Sequence, residues 1–266
     1  MTDSSTKMHA YIINLDGAAE RWRFVEERFE STGIPYTRIS AVDGRRLTFP
    51  IPEYDAAAYR LRVGQRTNPS QVGCYLSHMK ALQAFLASDH PLAIVAEDDA
   101  QPVANLRDIL QAALDYRDTW DLLRLCGFHR PHPVPFATLP GNYELCACFT
   151  RLCGTGAYAV TRHAAKMLRE KLLPMRLPID HALDREWTFG LRSAAIMPLP
   201  VSQIDHPYDS QIAVQNYKLP WYRRYWTVFP WRASNETRRV IHRWRYLSEA
   251  RRWVAQHTPR QATPST

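Results

Sequence analysis

Residues 91–99 read PLAIVAEDD, an apolar run that ends directly in Glu97, Asp98 and Asp99. Such a run is typical of a central strand that is buried on both faces of a sheet. Three neighbouring carboxylates at the end of a buried strand repel one another, and a divalent cation removes that cost. The stretch therefore predicts a site for Mg²⁺ or Mn²⁺ at a strand end, where open α/β sheets bind ligands, or alternatively a solvated acidic turn.

Strand-like and helix-like segments alternate on both sides of this stretch. Short apolar runs predict strands at 9–15, 36–41, 91–96, 121–126, 156–160 and 193–197. Apolar residues at helical spacing predict helices at 18–32, 68–87, 105–116 and 161–173. Gly33 is placed to end the first helix, and Asn68-Pro69 is a typical start for the second. This alternation predicts an α/β fold with a largely parallel sheet.

The composition excludes two broad classes of protein. Of the 266 residues, 45% are hydrophobic and 11% are aromatic, so the chain can form a packed core and is not disordered as a whole. No apolar run approaches the length of about 18 residues that a membrane-spanning helix needs, and 1–7 lacks the apolar core of a signal peptide. We therefore expect a cytoplasmic protein whose five cysteines are reduced.

The net charge of +8 is concentrated near the C-terminus. From Lys218 onward the chain has eleven Lys and Arg but only two acids, so the preceding body is close to neutral. Aromatic residues alternate with arginines over 221–232, and 236–256 is predicted to be a helix. On that helix, Val240, Ile241, Trp244, Leu247 and Val254 share a face, and arginines occupy the others: Arg238, Arg239, Arg243, Arg245 and Arg252. The pattern favours a helix that lies on an anionic membrane surface, whereas packing on the body or a dimer contact is the alternative.

Several short motifs occur in an order that resembles glycosyltransferase family 25, which includes lipooligosaccharide galactosyltransferases. Each motif is short, and together they span about 9–215. They are I-x-N-L-D at 12–16 with Arg21 after it, A-V-D-G at 41–44, G-C-x-x-S-H at 73–78, E-D-D at 97–99, G-T-x-A-Y at 154–158, P-x-D at 178–180 and Ser210-Gln211-Ile212. The resemblance implies a Rossmann-like nucleotide-sugar transferase domain of the GT-A type. The charge and apolar pattern described above adds a helical basic C-terminal tail to this α/β domain.

The same resemblance implies roles for individual residues. Asp99 is the expected metal ligand, assisted by Asp98 and by His206, although His206 could also be an ordinary linker histidine. The expected donor-binding residues are Asn14, Leu15, Arg21, Asp43, Gly44, Ser77, His78, Glu97 and Asp98. For Arg21 the alternative is a solvated helix face, for Asp43-Gly44 a simple turn, and for His78 a packed core histidine. Asp180 is the expected base that accepts the proton of the acceptor hydroxyl, and Asp184, one helical turn later, is the second candidate.

These observations predict an enzyme that transfers a hexose with the help of Mn²⁺ or Mg²⁺. We expect galactose from UDP-galactose as the donor sugar and a lipid-linked oligosaccharide, such as a lipooligosaccharide, as the acceptor. The expected organisation is a transferase domain at 8–216, a membrane-surface tail at 217–257 and a disordered end at 258–266, with the protein peripheral on the inner face of the cytoplasmic membrane. Two other classes remain open: a nucleic-acid-binding module that uses the basic aromatic tail, for which the acidic motif would have no role, and a nucleotide-sugar-binding protein without catalysis.

Overall fold

The computed structural model describes residues 8–129, 131–203 and 217–257. Its strands are β1 (Met8–Asn14), β2 (Tyr36–Ser40), β3 (Leu92–Glu97), β4 (Ala100–Pro102), β5 (Leu122–Arg124), β6 (Pro133–Leu139), β7 (Tyr143–Cys148), β8 (Ala157–Thr161), β9 (Ser193–Met197) and β10 (Val201–Gln203). Its α-helices are α1 (Ala19–Ser31), α2 (Ala56–Val63), α3 (Pro69–Leu86), α4 (Leu106–Leu114), α5 (Arg162–Lys171), α6 (Ile179–Leu183), α7 (Trp221–Tyr225) and α8 (Val228–His257). The α/β class is thus confirmed.

The main sheet has the strand order β2-β1-β3-β8-β5-β9-β7-β6. The part that carries the acidic motif is parallel, because β1 pairs in parallel with both β2 and β3. Beyond it the sheet is mixed: β8 runs antiparallel to β3 and β5, β5 and β9 are parallel, and β7 is antiparallel to β9 and β6. The carboxyl ends of β1, β2 and β3 therefore meet at one edge.

Helices cover both faces of the sheet, because apolar side chains of β1 point alternately to one face and the other. Ala10 and Ile12 contribute to one core with α1, α4 and α8, whereas Tyr11 and Ile13 contribute to the other core with α3 and α5. Successive side chains of a strand point to opposite faces, so a strand between two helical layers must be apolar throughout. This explains the uninterrupted apolar run of β3, in which residues 92–96 are all buried.

Local signals in the sequence set several helix ends. The Asn68 side chain accepts hydrogen bonds from the N–H groups of Ser70 (3.1 Å) and Gln71 (3.4 Å) at the start of α3, where Pro69 occupies the first position. Gly33 follows α1 with φ +64°, a conformation in which glycine has no steric penalty. These helix boundaries confirm the predictions made from the Asn-Pro pair and the glycine.

The C-terminal helix packs against the body. Leu247 is only 2% exposed and belongs to the core that also contains β1, whereas Val240, Ile241 and Trp244 remain exposed. Arg239 and Arg243 are buried as well, at 0% and 5% exposure. The expectation that these two arginines lie on the surface of the helix is therefore wrong: Arg243 pairs with Glu186 of the body at 3.0 Å, and Arg239 pairs with Glu236 of the same helix at 2.9 Å.

None of the helices within the three described ranges combines the length and the apolarity that crossing a membrane requires. The predicted disorder of 258–266 and the Ser210-Gln211-Ile212 motif lie outside the described residues, as does most of the stretch that joins the body to α7.

Candidate functional site

The acidic motif lies where β3 leaves the sheet. Glu97 is the last residue of β3, and Asp98 and Asp99 form the turn that leads into β4. The short strand β4 then pairs antiparallel with β10, which brings Gln203 opposite Ala100. The three carboxylates are therefore held between the main sheet and a small second sheet, so their positions are set by backbone pairing on both sides.

Asp98 ties this turn to the end of β1. Its Oδ2 accepts a hydrogen bond of 2.8 Å from Asn14 Nδ2, and its Oδ1 accepts from the guanidinium of Arg21. The other side of the Asn14 amide, Oδ1, accepts from Arg38 Nη2 at 2.8 Å. Asp98 is 6% exposed, and burial raises its pKa although Arg21 opposes this. Both oxygens of Asp98 thus serve contacts inside the protein, which favours a supporting role over the expected role as metal ligand.

Arg21 and Leu15 lie in the same corner. Arg21 belongs to α1 and points at the carboxylate of Asp98, which excludes the interpretation of Arg21 as a purely solvated helix residue. Leu15 follows β1 and is half-buried, and its carbonyl accepts a hydrogen bond of 3.3 Å from Arg38. The predicted donor residues Asn14, Leu15 and Arg21 are thus adjacent to the acidic turn.

Glu97 is oriented by two residues from other elements. Its Oε1 accepts a hydrogen bond of 2.5 Å from Thr155 Oγ1 and lies 3.3 Å from Nε2 of His78. His78 is fully buried, and its Nδ1 lies 3.2 Å from the hydroxyl of Tyr158. Burial opposes ionisation of Glu97, but the contacts with His78 and Thr155 outweigh it and lower its pKa. His78 is therefore a buried partner of Glu97. This environment resembles the alternative given for His78, that of a packed core histidine.

Asp99 has the opposite electrostatic character. Its Oδ1 accepts a hydrogen bond of 3.0 Å from Gln203 Nε2. Burial and the neighbouring Glu97 carboxylate raise the pKa of Asp99 to about 7, so its negative charge is poorly compensated by the protein. An added cation would relieve this repulsion, and oxygen donors of this kind suit Mn²⁺ and Mg²⁺. Glu97 and Asp99 therefore fit a hard divalent ion, whereas His206 lies outside the described residues.

The predicted residues of the A-V-D-G and G-C-x-x-S-H motifs contact each other. Ser77 Oγ accepts from the N–H of Val42 (2.8 Å) and donates to the carbonyl of Gly73 (2.7 Å). A Cβ atom on Gly44 would lie 1.9 Å from the carbonyl oxygen of Pro69, so only glycine permits this approach. Asp43 caps a short 3₁₀ turn through the N–H of Arg45 at 3.0 Å. These contacts hold the loop after β2 on α3, at the same sheet edge as the acidic turn.

The two candidate bases have different surroundings. Asp180 lies in the first turn of α6, and its side chain is 25% exposed. Asp184 is buried: its Oδ1 pairs with Arg124 at 2.8 Å, and its Oδ2 accepts from the N–H of Cys153 at 2.9 Å. Burial alone would raise the pKa of Asp184, but Arg124 and the Cys153 N–H outweigh it and hold the pKa below its usual range. Both oxygens of Asp184 are thus engaged inside the protein, which favours a structural role for Asp184 over the role of the second candidate base.

The half-buried thiol of Cys74 lies beside Glu97 and His78. Its sulfur lies within 4.8 Å of the nearest ring nitrogen of His78 and the nearest carboxylate oxygen of Glu97. Burial raises the pKa of Cys74 well above its ordinary value, and Glu97 and Asp180 add to this effect. Cys74 is therefore a neighbour of His78 and Glu97.

Three residues of this site had no role in the sequence interpretation. Thr155 belongs to the quoted G-T-x-A-Y motif, which could have suggested it, whereas nothing in the local sequence singles out Arg124 or Gln203. A Cβ atom on Gly156 would lie 2.3 Å from Cδ of Gln203, so the glycine of that motif makes room for the amide that holds Asp99. The G-T-x-A-Y motif thus helps to position both Glu97 and Asp99.

The arrangement defines an α/β protein with a group of carboxylates at the carboxyl end of β3, beside the end of β1. The model of the family described as "Glycosyltransferase family 25 (LPS biosynthesis protein)" matches residues 7–183. Since this match covers most of the chain, the protein belongs to glycosyltransferase family 25.

Curated relatives are similar over most of this chain. A "Glycosyltransferase 25 family member" of Anopheles gambiae is 25% identical over 214 residues, which cover 73% of this chain and 35% of that protein. One of Aedes aegypti is 28% identical over 185 residues, covering 65% of this chain and 30% of that protein. The "Probable inactive glycosyltransferase 25 family member 3" of Rattus norvegicus is 26% identical over 227 residues, covering 76% and 39%. The chain thus spans about a third of the length of these relatives.

Solved structures of glycosyltransferases show a more distant similarity. A Drosophila β-1,4-galactosyltransferase 7 mutant in complex with manganese, UDP-Gal and xylobiose has 15% identity and a TM-score of 0.44, with 79% of this chain and 75% of that chain covered. A mannosyltransferase of Pyrobaculum calidifontis in complex with GDP-Man and Mn²⁺ has 11% identity and a TM-score of 0.43, with 97% and 76% covered. Similarity at this level assigns no role to any residue of this chain.

Proposed function

We propose that the protein is a metal-assisted hexosyltransferase that moves galactose from UDP-galactose to a hydroxyl of a lipid-linked glycan, such as a lipooligosaccharide. The observation that carries the proposal is the pair of acids at the end of β3, where Asp99 has a pKa of about 7 because burial and Glu97 leave its charge uncompensated. Membership in the family supports transfer of a sugar. The choice of galactose and of the lipid-linked acceptor follows the resemblance described above.

The acids and their partners fit the needs of the donor diphosphate. When bound at Asp99 and Glu97, Mn²⁺ or Mg²⁺ supplies Lewis-acid stabilisation for the negative charge of the leaving diphosphate. Gln203 holds Asp99, and Thr155 holds Glu97. Because these hydrogen bonds come from separate strands and loops, the acids are positioned before any ligand arrives, which lowers the cost of organising the site.

Asp180 is the residue that we assign to the acceptor. As the acceptor oxygen forms its bond to the anomeric carbon, the bond from that carbon to the diphosphate oxygen breaks, and the acceptor proton passes to the Asp180 carboxylate. A base must be accessible to the substrate, and Asp180 is 25% exposed whereas Asp184 is 4% exposed. The geometry thus supports Asp180 as the base of a direct displacement.

Two other functions make different predictions. A nucleic-acid-binding module would use the basic tail, but it gives the acidic turn no role. A nucleotide-sugar-binding protein without catalysis keeps the donor site, and one curated relative is named as probably inactive. Turnover of a nucleotide sugar separates the enzyme from both.

The decisive experiment is a donor panel. The protein is incubated with Mn²⁺ and each common nucleotide sugar, and release of the nucleoside diphosphate is measured. We expect the fastest release from UDP-galactose and none above background from Asp99→Ala. Tight binding of UDP-galactose without release would favour the non-catalytic protein, and full turnover in excess chelator would contradict the metal role of Asp99.

A further inference from the structure

The start of the basic tail lies directly against α2 and the loop after it. The N–H of Arg66 donates to the carbonyl of Tyr217, and the N–H of Leu219 donates to the carbonyl of Gly64, both at 2.8 Å. A Cβ atom on Gly64 would lie 2.8 Å from Cγ of Arg224, and Gly64 has φ +71°. The two segments are thus in close contact, although more than 150 residues separate them in the sequence. We call the surface formed by residues 60–66 and 217–229 the α2–α7 face.

The α2–α7 face is unusually rich in exposed large apolar side chains. One of them comes from α2, and the others come from α7 and the residues after it. With their exposed fractions they are Leu61 (56%), Trp221 (74%), Tyr222 (55%), Tyr225 (53%), Trp226 (79%) and Phe229 (47%). A cluster of this kind marks an interaction surface, and Trp and Tyr are the aromatic residues that prefer the headgroup region of a membrane.

The charge of the α2–α7 face has one sign. The sequence contains no Asp or Glu between Asp55 and Asp89, and none from Tyr217 to Asn235. Asp55 itself caps α2 and pairs with Arg176 at 3.6 Å, so its charge is already compensated. The basic residues of the face are Arg60, Arg62, Arg66, Lys218, Arg223 and Arg224. Near an anionic leaflet each cation increases binding roughly fivefold, so six of them could localise the protein.

We propose that the α2–α7 face docks the protein on an anionic membrane surface, with α2 of the body as an essential part of the contact. The inference rests on the lipid-linked acceptor of the proposed function and replaces the tail-only anchor that the sequence suggested. Much of α8 serves the body instead: Arg239 donates to the Asp184 carbonyl at 2.8 Å, and Arg243 pairs with Glu186 at 3.0 Å. The combination of positive charge and exposed aromatic side chains favours an anionic bilayer as the partner of this face.

This face is continuous with the segment that carries the candidate base. The N–H of Asp55, at the start of α2, donates to the carbonyl of Met175 at 3.0 Å, and the N–H of Met175 donates to the carbonyl of Glu53 at 2.7 Å. Met175 is five residues before Asp180. On the inner side of α2, burial raises the pKa of the Tyr59 hydroxyl and Asp180 adds to the rise. A glycan linked to a docked membrane would thus approach the protein near the segment that leads to Asp180.

The test compares point variants of the whole chain in sedimentation with vesicles. A truncation at Asn216 is unsuitable, because it would also remove Arg239 and Arg243 from their buried partners. We compare Arg60→Glu/Arg66→Glu with the matched control Arg23→Glu/Arg117→Glu, whose exposed arginines lie on α1 and on a 3₁₀ turn and give the same change in charge. Vesicles contain phosphatidylglycerol with phosphatidylcholine, or phosphatidylcholine alone, at low and high salt.

We expect the Arg60→Glu/Arg66→Glu variant to lose about tenfold or more of its partition onto anionic vesicles at low salt, and the control to stay close to the wild type. Trp221→Ala/Trp226→Ala should weaken binding as well, and all variants should release UDP from UDP-galactose at the wild-type rate. Three outcomes would overturn the docking proposal. Both charge variants could lose vesicle binding equally, or binding could be lost only in Ile241→Glu on α8. The protein could also prefer a single-stranded oligonucleotide over vesicles. Specific vesicle binding by a protein that releases no UDP would instead overturn the proposed function and leave the docking surface intact.

Discussion

Two groups of carboxylates in this protein, one partly buried and one buried, have opposite electrostatics. In the acidic turn, Asp99 lies beside Glu97 and is held by the neutral amide of Gln203, and its pKa rises to about 7. In the second group, Asp184 is more deeply buried, at 3% exposure, yet its pKa is lowered, because Arg124 and nearby arginines compensate its charge. Burial alone therefore does not decide how an acid behaves.

The difference indicates what each group is for. The network around Asp184 joins β5, α6 and α8 through the pairing with Arg124 and the hydrogen bond that Arg239 donates to the Asp184 carbonyl, so we infer that it serves the fold. The acidic turn is left with negative charge that the protein does not neutralise, at a strand end where a ligand can enter. Such an uncompensated charge is costly for the unbound protein and becomes favourable when a cation binds, which is typical of a functional site.

The largest expected effect is a loss of turnover in a variant of the acidic turn. Asp99→Ala should reduce turnover by roughly 10³-fold, because the charge on the leaving diphosphate loses about 4 kcal/mol of stabilisation. Its unfolding midpoint without metal should stay equal or rise, since a repelling charge is removed. Steady-state UDP release and denaturant unfolding measure the two effects. A variant that loses activity because it unfolds would place Asp99 with the structural group.

A variant of the second group should lose stability of the fold, in contrast to Asp99→Ala. Asp184→Asn should lower the free energy of unfolding by about 3 kcal/mol or more, because the guanidinium of Arg124 would stay buried without its counter-charge. Urea unfolding of the variant and the wild type at pH 7 gives the comparison. If the variant is as stable as the wild type but inactive, Asp184 has a catalytic role and the proposed separation of the two groups fails.

A variant of Asp180 tests whether this acid has a catalytic role, unlike Asp184. Asp180→Asn should reduce turnover by roughly 10²-fold or more, because the acceptor proton loses its base, and it should leave the affinity for UDP-galactose and the unfolding midpoint near wild type. Kinetics with varied acceptor, together with calorimetric donor binding, separates these effects. His181→Ala, at the neighbouring position of α6, is the matched control and should keep most of the turnover. Normal turnover of Asp180→Asn would mean that the base lies elsewhere.

The smallest effect is a change of stability with pH. The folded-state pKa of Asp184 is below the usual value of 3.8, so its ionised form stabilises the protein fully above that value, and this contribution is lost as the pH falls through the folded-state pKa. The stability difference between the wild type and Asp184→Asn should thus be constant from pH 7 to 5 and should shrink below about pH 4. A difference that grows as the pH falls would show that the pKa is raised instead.

The local sequence predicted a good part of the fold and the location of the site. The apolar run 91–96 became β3, the Asn68-Pro69 pair began α3, and the three acids lie at a strand end as expected. These predictions succeeded because helix caps, apolar periods and strand ends depend on residues a few positions apart. In the structure Asn14 also lies near Asp98, because the parallel strands β1 and β3 end at one edge of the sheet.

Other features depend on contacts between residues far apart in the chain. Asp180 and Asp184 look alike in the sequence, and it is the structure that pairs Asp184 with Arg124, 60 residues away. The amide that holds Asp99 comes from Gln203, 104 residues away. In the same way, the antiparallel direction of β8 and the burial of Arg239 and Arg243 have no local signal. The sequence by itself thus determined many of the elements and the presence of an acidic motif at a strand end, whereas only the tertiary structure decided which charges are compensated, because compensation depends on distance in space.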